Sequence, residues 1–433
     1  MSSKTSTRNG DACSSTAVAL DESSRVHSKP QKPPQIWWAN AIFFVMVHVA
    51  AGIGMYYVPP WSIPRATLLL WFLTWQLSDF GITIGYHRLY SHKAFRAALP
   101  VRIVLAALGS AAFQGSIKIP PAQPKASQFA GPSNTDCTML RFTDDLLHDP
   151  YAATRGLFYS HMGWIFYKPT YEKMELIERD DLERDPVVRF QHKHYVPLAI
   201  FFGFILPTLL GLLWSDPLGS YIYGGLVARL FIWHCTFLVN SLAHWEGLQP
   251  YSDEDTSRGN LLLALLTGGE GNHNFHSFPH DFRSGPSWSD WDPSKWIILG
   301  LEWLGLVTSL RRARQEDLVE AVHHMHHKTN MDSEKNQDED EMWDGDVYTL
   351  AEIQAMAKEG RCMIVIDGFA VDVTSYLLEH PGGATLLRNY SVRLGTKSDL
   401  WKNSDWAFHG GLNNHSRAAR RRMIELRVAK MAA

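Results

Sequence analysis

The chain has 433 residues, 45% of them hydrophobic, with 41 Lys+Arg against 44 Asp+Glu and 20 His. It is too long for one small domain and too apolar for a disordered tail. A formal charge of -3 gives no global basic field, which argues against a nucleic-acid partner, and 16 Trp, 15 Tyr and 21 Phe call for buried or bilayer-facing surface.

Residues 1–36 are rich in Ser, Thr, Lys and Pro, lack the early apolar stretch of a signal peptide, and read as a flexible cytosolic tail. From Trp37 to Tyr57 no formal charge occurs, enough for a helix to cross the hydrocarbon core. After Pro59 and Pro60, a second apolar stretch runs over 61–86 with Arg65 and Asp79 as its only charges, so the two spans form a tight hairpin. The long region 87–195 is mostly polar, and its apolar piece Val101–Phe113 suits an interfacial or buried helix better than a span. Two further spans are expected over 196–214 and 221–244, joined by the turn Ser215–Ser220. Basic residues gather in the tail and the long loops, which predicts that both termini are cytosolic. The spans therefore belong to a transmembrane domain over 37–327, with an amphipathic stretch near 296–327 at its end.

The acidic Asp332–Glu341 run marks a solvated linker over 328–342. Beyond it, 343–433 alternates short apolar strands such as Met363–Ile366 with helical patterns, as a small soluble α+β module would. The expected fold is an all-α four-helix membrane domain with a cytosolic cap, followed by that module. Cys13, Cys137, Cys235 and Cys362 show no paired spacing, so neither a disulfide framework nor a thiolate zinc site is indicated, and a reducing compartment fits.

Three histidine groups lie beyond predicted spans on one predicted face of the membrane. His87 and His92 follow the second span; five residues apart in a straight helix they diverge by about 140°, so they should reach different points of a metal cluster. Asn240 and His244 are an i,i+4 pair at the end of the fourth span, and His273 with His276 are i,i+3 and can converge. Imidazole suits iron, and polar groups gathered at one membrane border mark a functional site. A lone His at such a border is more often an interfacial side chain with a satisfied hydrogen bond, and His192 and His194 are read that way. His323, His324, His326 and His327 precede a solvated linker and are not expected to be ligands.

The run Asp79-Phe80-Gly81-Ile82-Thr83-Ile84-Gly85-Tyr86-His87-Arg88-Leu89-Tyr90-Ser91-His92 resembles the first histidine box of the membrane-bound acyl-CoA desaturases. Asp149-Pro150-Tyr151, Ser160-His161-Met162-Gly163-Trp164, Asn240-Ser241-Leu242-Ala243-His244-Trp245 and Gly269-Glu270-Gly271-Asn272-His273-Asn274-Phe275-His276 extend the likeness over about 37–310. The resemblance implies a delta-9 desaturase of fungal type in the endoplasmic-reticulum membrane, acting on fatty acyl-CoA with O2 and a non-haem di-iron centre. It places His87, His92, His244, His273 and His276 on iron-ligand positions, and Asn240 on a position that reaches metal through water. Two departures stand out. Where the family has an HxxHH box, Ile119–Leu140 carries no histidine and only His148 follows; and His276 is followed by Ser277 where the family has a second histidine. These departures fit either a misplaced intron boundary in the gene model or, as the alternative function, a catalytically impaired relative acting as a membrane-tethered electron carrier.

Glu379-His380-Pro381-Gly382-Gly383 resembles the haem-binding motif of cytochrome b5, and Phe408-His409-Gly410-Gly411-Leu412-Asn413-Asn414-His415 its second ligand region. The resemblance implies haem b held by His380 and His415, with His409 a decoy, and an NADH-cytochrome b5 reductase as electron donor. Ser391–Ser404 is longer than the usual connection in that family.

Overall fold

The computed structural model describes residues 35–118, 153–168, 180–253, 255–277, 281–328, 343, 345–377, 379–380, 383–393, 401–409, 415 and 417–432. The tail as far as Pro34, the Ile119–Leu140 stretch with His148, the linker Asp332–Glu341, and Pro381 and Gly382 lie outside the described residues. From Trp37 onward the chain forms one compact unit.

Four helices are long and apolar enough to cross a membrane: Trp38–Tyr57, Arg65–Ser91, Tyr195–Trp214 and Pro217–Trp245. The first carries no charge; it buries Phe44, Val47 and Ala51 and turns Ile42, Val45, Val49 and Ile53 outward, a division that lipid tolerates at no hydrophobic cost. The third likewise exposes Leu209, Leu212 and Leu213. Two span limits differ from the sequence reading. The second helix starts at Arg65 instead of residue 61, because Pro64 holds the extended backbone of an N-cap at φ -60°, ψ 147°. The fourth starts four residues early, at Pro217, because Asp216 caps it by accepting from the Gly219 amide (3.0 Å) with proline in the first turn. The Asp216 carboxylate also accepts from the Thr67 hydroxyl (2.6 Å), which fastens the starts of the second and fourth spans together.

The larger correction concerns the end of the second span. The helix does not stop at Tyr86 but continues through His87 to Ser91 as a π-helix, Gly81–Ser91, and the His92 amide closes an i→i+5 bond on the His87 carbonyl (2.9 Å). The expected short apolar helix is present over Leu99–Ala111 and packs against this π-helical segment. Contact is made backbone to backbone: a Cβ on Gly81 would lie 2.3 Å from the Gly109 nitrogen, and one on Gly109 would lie 2.2 Å from the Tyr86 ring.

The stretch near 296–327 is two helices, Pro293–Trp303 and Gln315–Lys328, interrupted by β2 (Val307–Thr308), which pairs antiparallel with β1 (Arg96–Ala97). That ladder ties the chain leaving the second span to the chain approaching the C-terminal module.

The module holds β3 (Val347–Tyr348), β4 (Met363–Ile366), β5 (Phe369–Asp372) and β6 (Arg427–Met431) in the order β3-β6-β5-β4, with β3 and β6 parallel and the remaining pairs antiparallel. Because side chains alternate along a strand, Ile364 and Ile366 of β4 face Val371, Phe408 and Met423, while Met363 and Val365 face Ile353, Ala370 and Ala429. β4 is thus buried on both faces, which explains its unbroken Met-Ile-Val-Ile sequence. The helix Leu350–Lys358 opens on a capping box between Thr349 and Glu352.

Candidate metal centre

The π-helical turn decides where the first two histidines point. By closing i→i+5 it brings residues five apart onto one side, so His87 and His92 converge, contrary to the expectation drawn from a straight α-helix: their Nε2 atoms are 3.1 Å apart. His276, from the short helix His273–Ser277, brings its Nε2 to 2.8 Å from that of His87. Among the described residues these three form a group able to hold a metal ion, their ligand atoms all within 4.8 Å of one another.

The outer face of the His276 ring is tied down. His276 Nδ1 contacts the Arg283 carbonyl (3.2 Å), an acceptor that keeps the proton on Nδ1 and the Nε2 lone pair on the site. Burial pushes the His276 imidazolium down to about 3; Glu270 works against this, while His87 and Arg88 add to it. The ring is therefore neutral near pH 7, as a metal ligand must be.

Glu270 was quoted in the sequence motif without being given a role, and the structure brings it to the centre. One oxygen accepts from Arg88 (3.0 and 3.1 Å); the other accepts no hydrogen bond among the described residues and lies 3.7 Å from His87 Nε2. Burial works against its charge, yet Arg88 and the imidazoles of His276, His87 and His273 hold the carboxyl well below the ordinary carboxylate range. Arg88 is fully buried between Glu270 and Asp292, each 3.0 Å away. Arg88 thus serves two buried carboxylates at once, and a cation among the imidazoles would add to the positive charge facing Glu270.

The second group is sparser. His244 and His273 stand with ring centroids 5.3 Å apart, and His244 Nδ1 contacts the Thr256 hydroxyl (2.9 Å). His273 Nδ1 is buried with no hydrogen-bond partner among the described residues, and burial followed by the neighbouring His244 holds the His273 imidazolium well below its ordinary range. Asn240 is buried at the end of the helix Ala228–Asn240, on the same span as His244. A buried, unprotonated, unpartnered imidazole nitrogen suits a metal ligand.

In the C-terminal module the rings of His380 and His415 face each other at 6.4 Å between centroids and 30° between planes, a slot and not a contact. Phe408 stacks on His415 at 4.3 Å and its carbonyl contacts His415 Nδ1 (2.8 Å), which orients Nε2. Two facing imidazoles lined by an aromatic ring fit a haem iron held on both axial sides. His409 is turned elsewhere, onto Asp367 (2.7 Å).

His192 contacts the Ser116 hydroxyl (2.7 Å), and His323, His324 and His326 lie along the helix Gln315–Lys328 and are not among the three-histidine group. Sequence reasoning missed one further arrangement. His48 Nδ1 donates to the Phe44 carbonyl (2.8 Å), His48 Nε2 meets His234 Nε2 (3.0 Å), His234 Nδ1 meets His161 Nε2 (3.0 Å), and His161 Nδ1 meets the Ser241 hydroxyl (3.0 Å). A histidine in the middle of each of two apolar spans was the available signal.

Comparison with known proteins agrees with both halves of this picture. The family model described as a cytochrome b5-like heme/steroid binding domain matches residues 349–394. Acyl-CoA desaturase 1 of Saccharomyces cerevisiae is 35% identical over 397 residues, 90% of this chain and 73% of that protein. A probable acyl-CoA desaturase of Schizosaccharomyces pombe is 33% identical over 91% of this chain and 78% of its own length. Stearoyl-CoA desaturase 5 of Homo sapiens is 34% identical over 69% of this chain and 90% of its own.

Proposed function

The chain belongs to the acyl-CoA desaturase family, with a cytochrome b5-like module fused behind four membrane-capable helices, and from that membership we propose the finer activity of a stearoyl-CoA delta-9 desaturase. In this reading a saturated acyl-CoA, O2, two electrons and two protons give a cis-unsaturated acyl-CoA and two waters. The electrons come from an NADH-cytochrome b5 reductase through the haem, and the protein resides in the endoplasmic-reticulum membrane with both termini cytosolic.

His87, His92 and His276 would hold one non-haem iron, and His244 and His273, with Asn240 through water, the other. When bound, the iron pair supplies the oxidising power for a carbon–hydrogen bond that no side chain could attack. The protein's own part is positional. Arg283 and Thr256 fix which imidazole nitrogen faces inward, Glu270 sets the charge, and Arg88 fastens Glu270 to the first histidine box. His380 and His415 would hold haem b, which would supply one-electron transfer there.

The observation that carries the reading is the convergence of three imidazole Nε2 atoms beside a carboxylate oxygen that accepts no hydrogen bond among the described residues. It is tested by metal analysis and product analysis on the purified full-length protein: two non-haem irons per haem and a delta-9 monounsaturated product support it. The second reading, a membrane-tethered b5-type carrier, is favoured by Ser277 after His276 and by the absence of histidine between His92 and His148. It predicts a normal haem spectrum with no non-haem iron and no product.

A further inference from the structure

The haem module meets the membrane domain along one strip, and Arg311 stands at its inner end. Its backbone is held on both sides: the Arg311 amide donates to the Ala94 carbonyl (2.7 Å), and the Arg311 carbonyl accepts from the Phe282 amide (3.1 Å). The side chain then reaches two carbonyls from opposite domains. One terminal nitrogen donates to the His92 carbonyl (3.5 Å) and the other to the Glu379 carbonyl (3.3 Å). His92 belongs to the three-imidazole group, and Glu379 directly precedes His380 of the haem slot.

Outside this bridge the strip is held by charge. Arg314 grips Glu425 with both terminal nitrogens (2.9 and 3.1 Å), and Arg421 pairs with Glu320 of the helix Gln315–Lys328. A planar guanidinium with fixed donors can serve two acceptors at once, which an ammonium on a flexible stem does poorly. These outer pairs join side chains to side chains, whereas Arg311 alone of these residues reaches the backbone on either side of the strip.

Resting on the desaturase reading, we infer that Arg311 is the positioning residue for electron delivery: it clamps the haem-ligand segment to the His92 segment and completes a bonded route between them. The route runs from the His380 backbone through the Glu379 carbonyl, across the guanidinium, to the His92 carbonyl and ring. With both groups bound, each passage would oxidise the haem by one electron and reduce iron held by the imidazoles by one. A reduced flavoprotein restores the haem, and two passages serve one turnover. Arg311 itself is neither oxidised nor deprotonated.

The test uses full-length protein with Arg311→Gln and Arg311→Lys, read in two ways. Amide hydrogen exchange over 311–320 and 376–380 reports the clamp whether or not iron is bound. Rapid mixing of the reduced protein with oxygen and stearoyl-CoA reports haem reoxidation. Arg311→Gln is expected to raise exchange in both segments and slow reoxidation roughly tenfold, the factor set by about 1.4 kcal/mol of barrier, with the haem spectrum unchanged. Arg311→Lys should fall between. Wild-type exchange in these segments as fast as in Arg311→Gln overturns the clamp, and lost protection with undiminished reoxidation overturns the electron route. A wild-type haem that substrate and oxygen never reoxidise refutes the desaturase reading instead, and the exchange difference then decides the clamp alone.

Discussion

The two imidazole groups of the membrane domain differ in how completely they are built. The group around His87, His92 and His276 has three nitrogens in mutual reach, a carboxylate beside them and a carbonyl behind His276. The pair His244 and His273 has one hydroxyl partner and one unpartnered nitrogen among the described residues. Each group draws on two segments and both share the helix His273–Ser277, but the first takes two of its rings from one segment of unusual backbone, the π-helix, and the second takes one ring from the end of the fourth span.

The change expected to cost most is His276→Ala, which dismantles the denser group. Non-haem iron per haem should fall by about one, and desaturation in a desaturase-deficient host should drop on the order of 100-fold or more, with an intact haem spectrum. A variant retaining full iron would erase the distinction between the groups. Glu270→Gln should lower iron affinity there by about 10- to 100-fold, measured by chelator competition, since it removes the balancing charge while keeping the shape. Ser277→His should act on the sparser group: under a chelator the weaker-held iron is lost more slowly than in the wild type, and an unchanged loss rate would contradict the idea that this group lacks ligands.

Acidity gives a smaller effect with a defined sign. In the metal-free protein His276 is held near 3 and His273 is also depressed, so the unfolded chain binds protons that the folded chain refuses. Stability is at its full value above about pH 6.5 and should decline as pH falls below it, seen as a lower Tm at pH 5.5 than at pH 7.5. Bound iron should steepen that dependence, because it keeps further imidazoles neutral in the folded chain that take up protons once the chain unfolds. The smallest effect is expected for His409→Ala, whose partner Asp367 is as exposed as itself: the haem spectrum stays and stability changes by at most about 1 kcal/mol.

Much of this architecture was legible in the sequence because it follows from local rules. An uncharged run of about 20 residues has little choice but to span, and β4 was read as Met363–Ile366 from its apolar run alone. The direction of His87 was not legible, since a π-helical turn differs from an α-helical one by a single hydrogen-bond register that no residue type dictates. Glu270 was hidden for another reason. A carboxylate beside a histidine motif looks like any polar neighbour until the buried Arg88, 182 residues away in sequence, is seen to grip it.

The chain of three rings that links Phe44 to Phe237 has a consequence that follows from counting hydrogens. Ser241 donates onward to the Phe237 carbonyl (2.8 Å), so the series has a carbonyl at each end and five links between. Three uncharged imidazoles and one hydroxyl bring four hydrogens. One link must therefore stay open while the rings are uncharged. The row of ordinary side chains beside Asn240 has a gap whose place is set by which nitrogen of each ring carries its hydrogen.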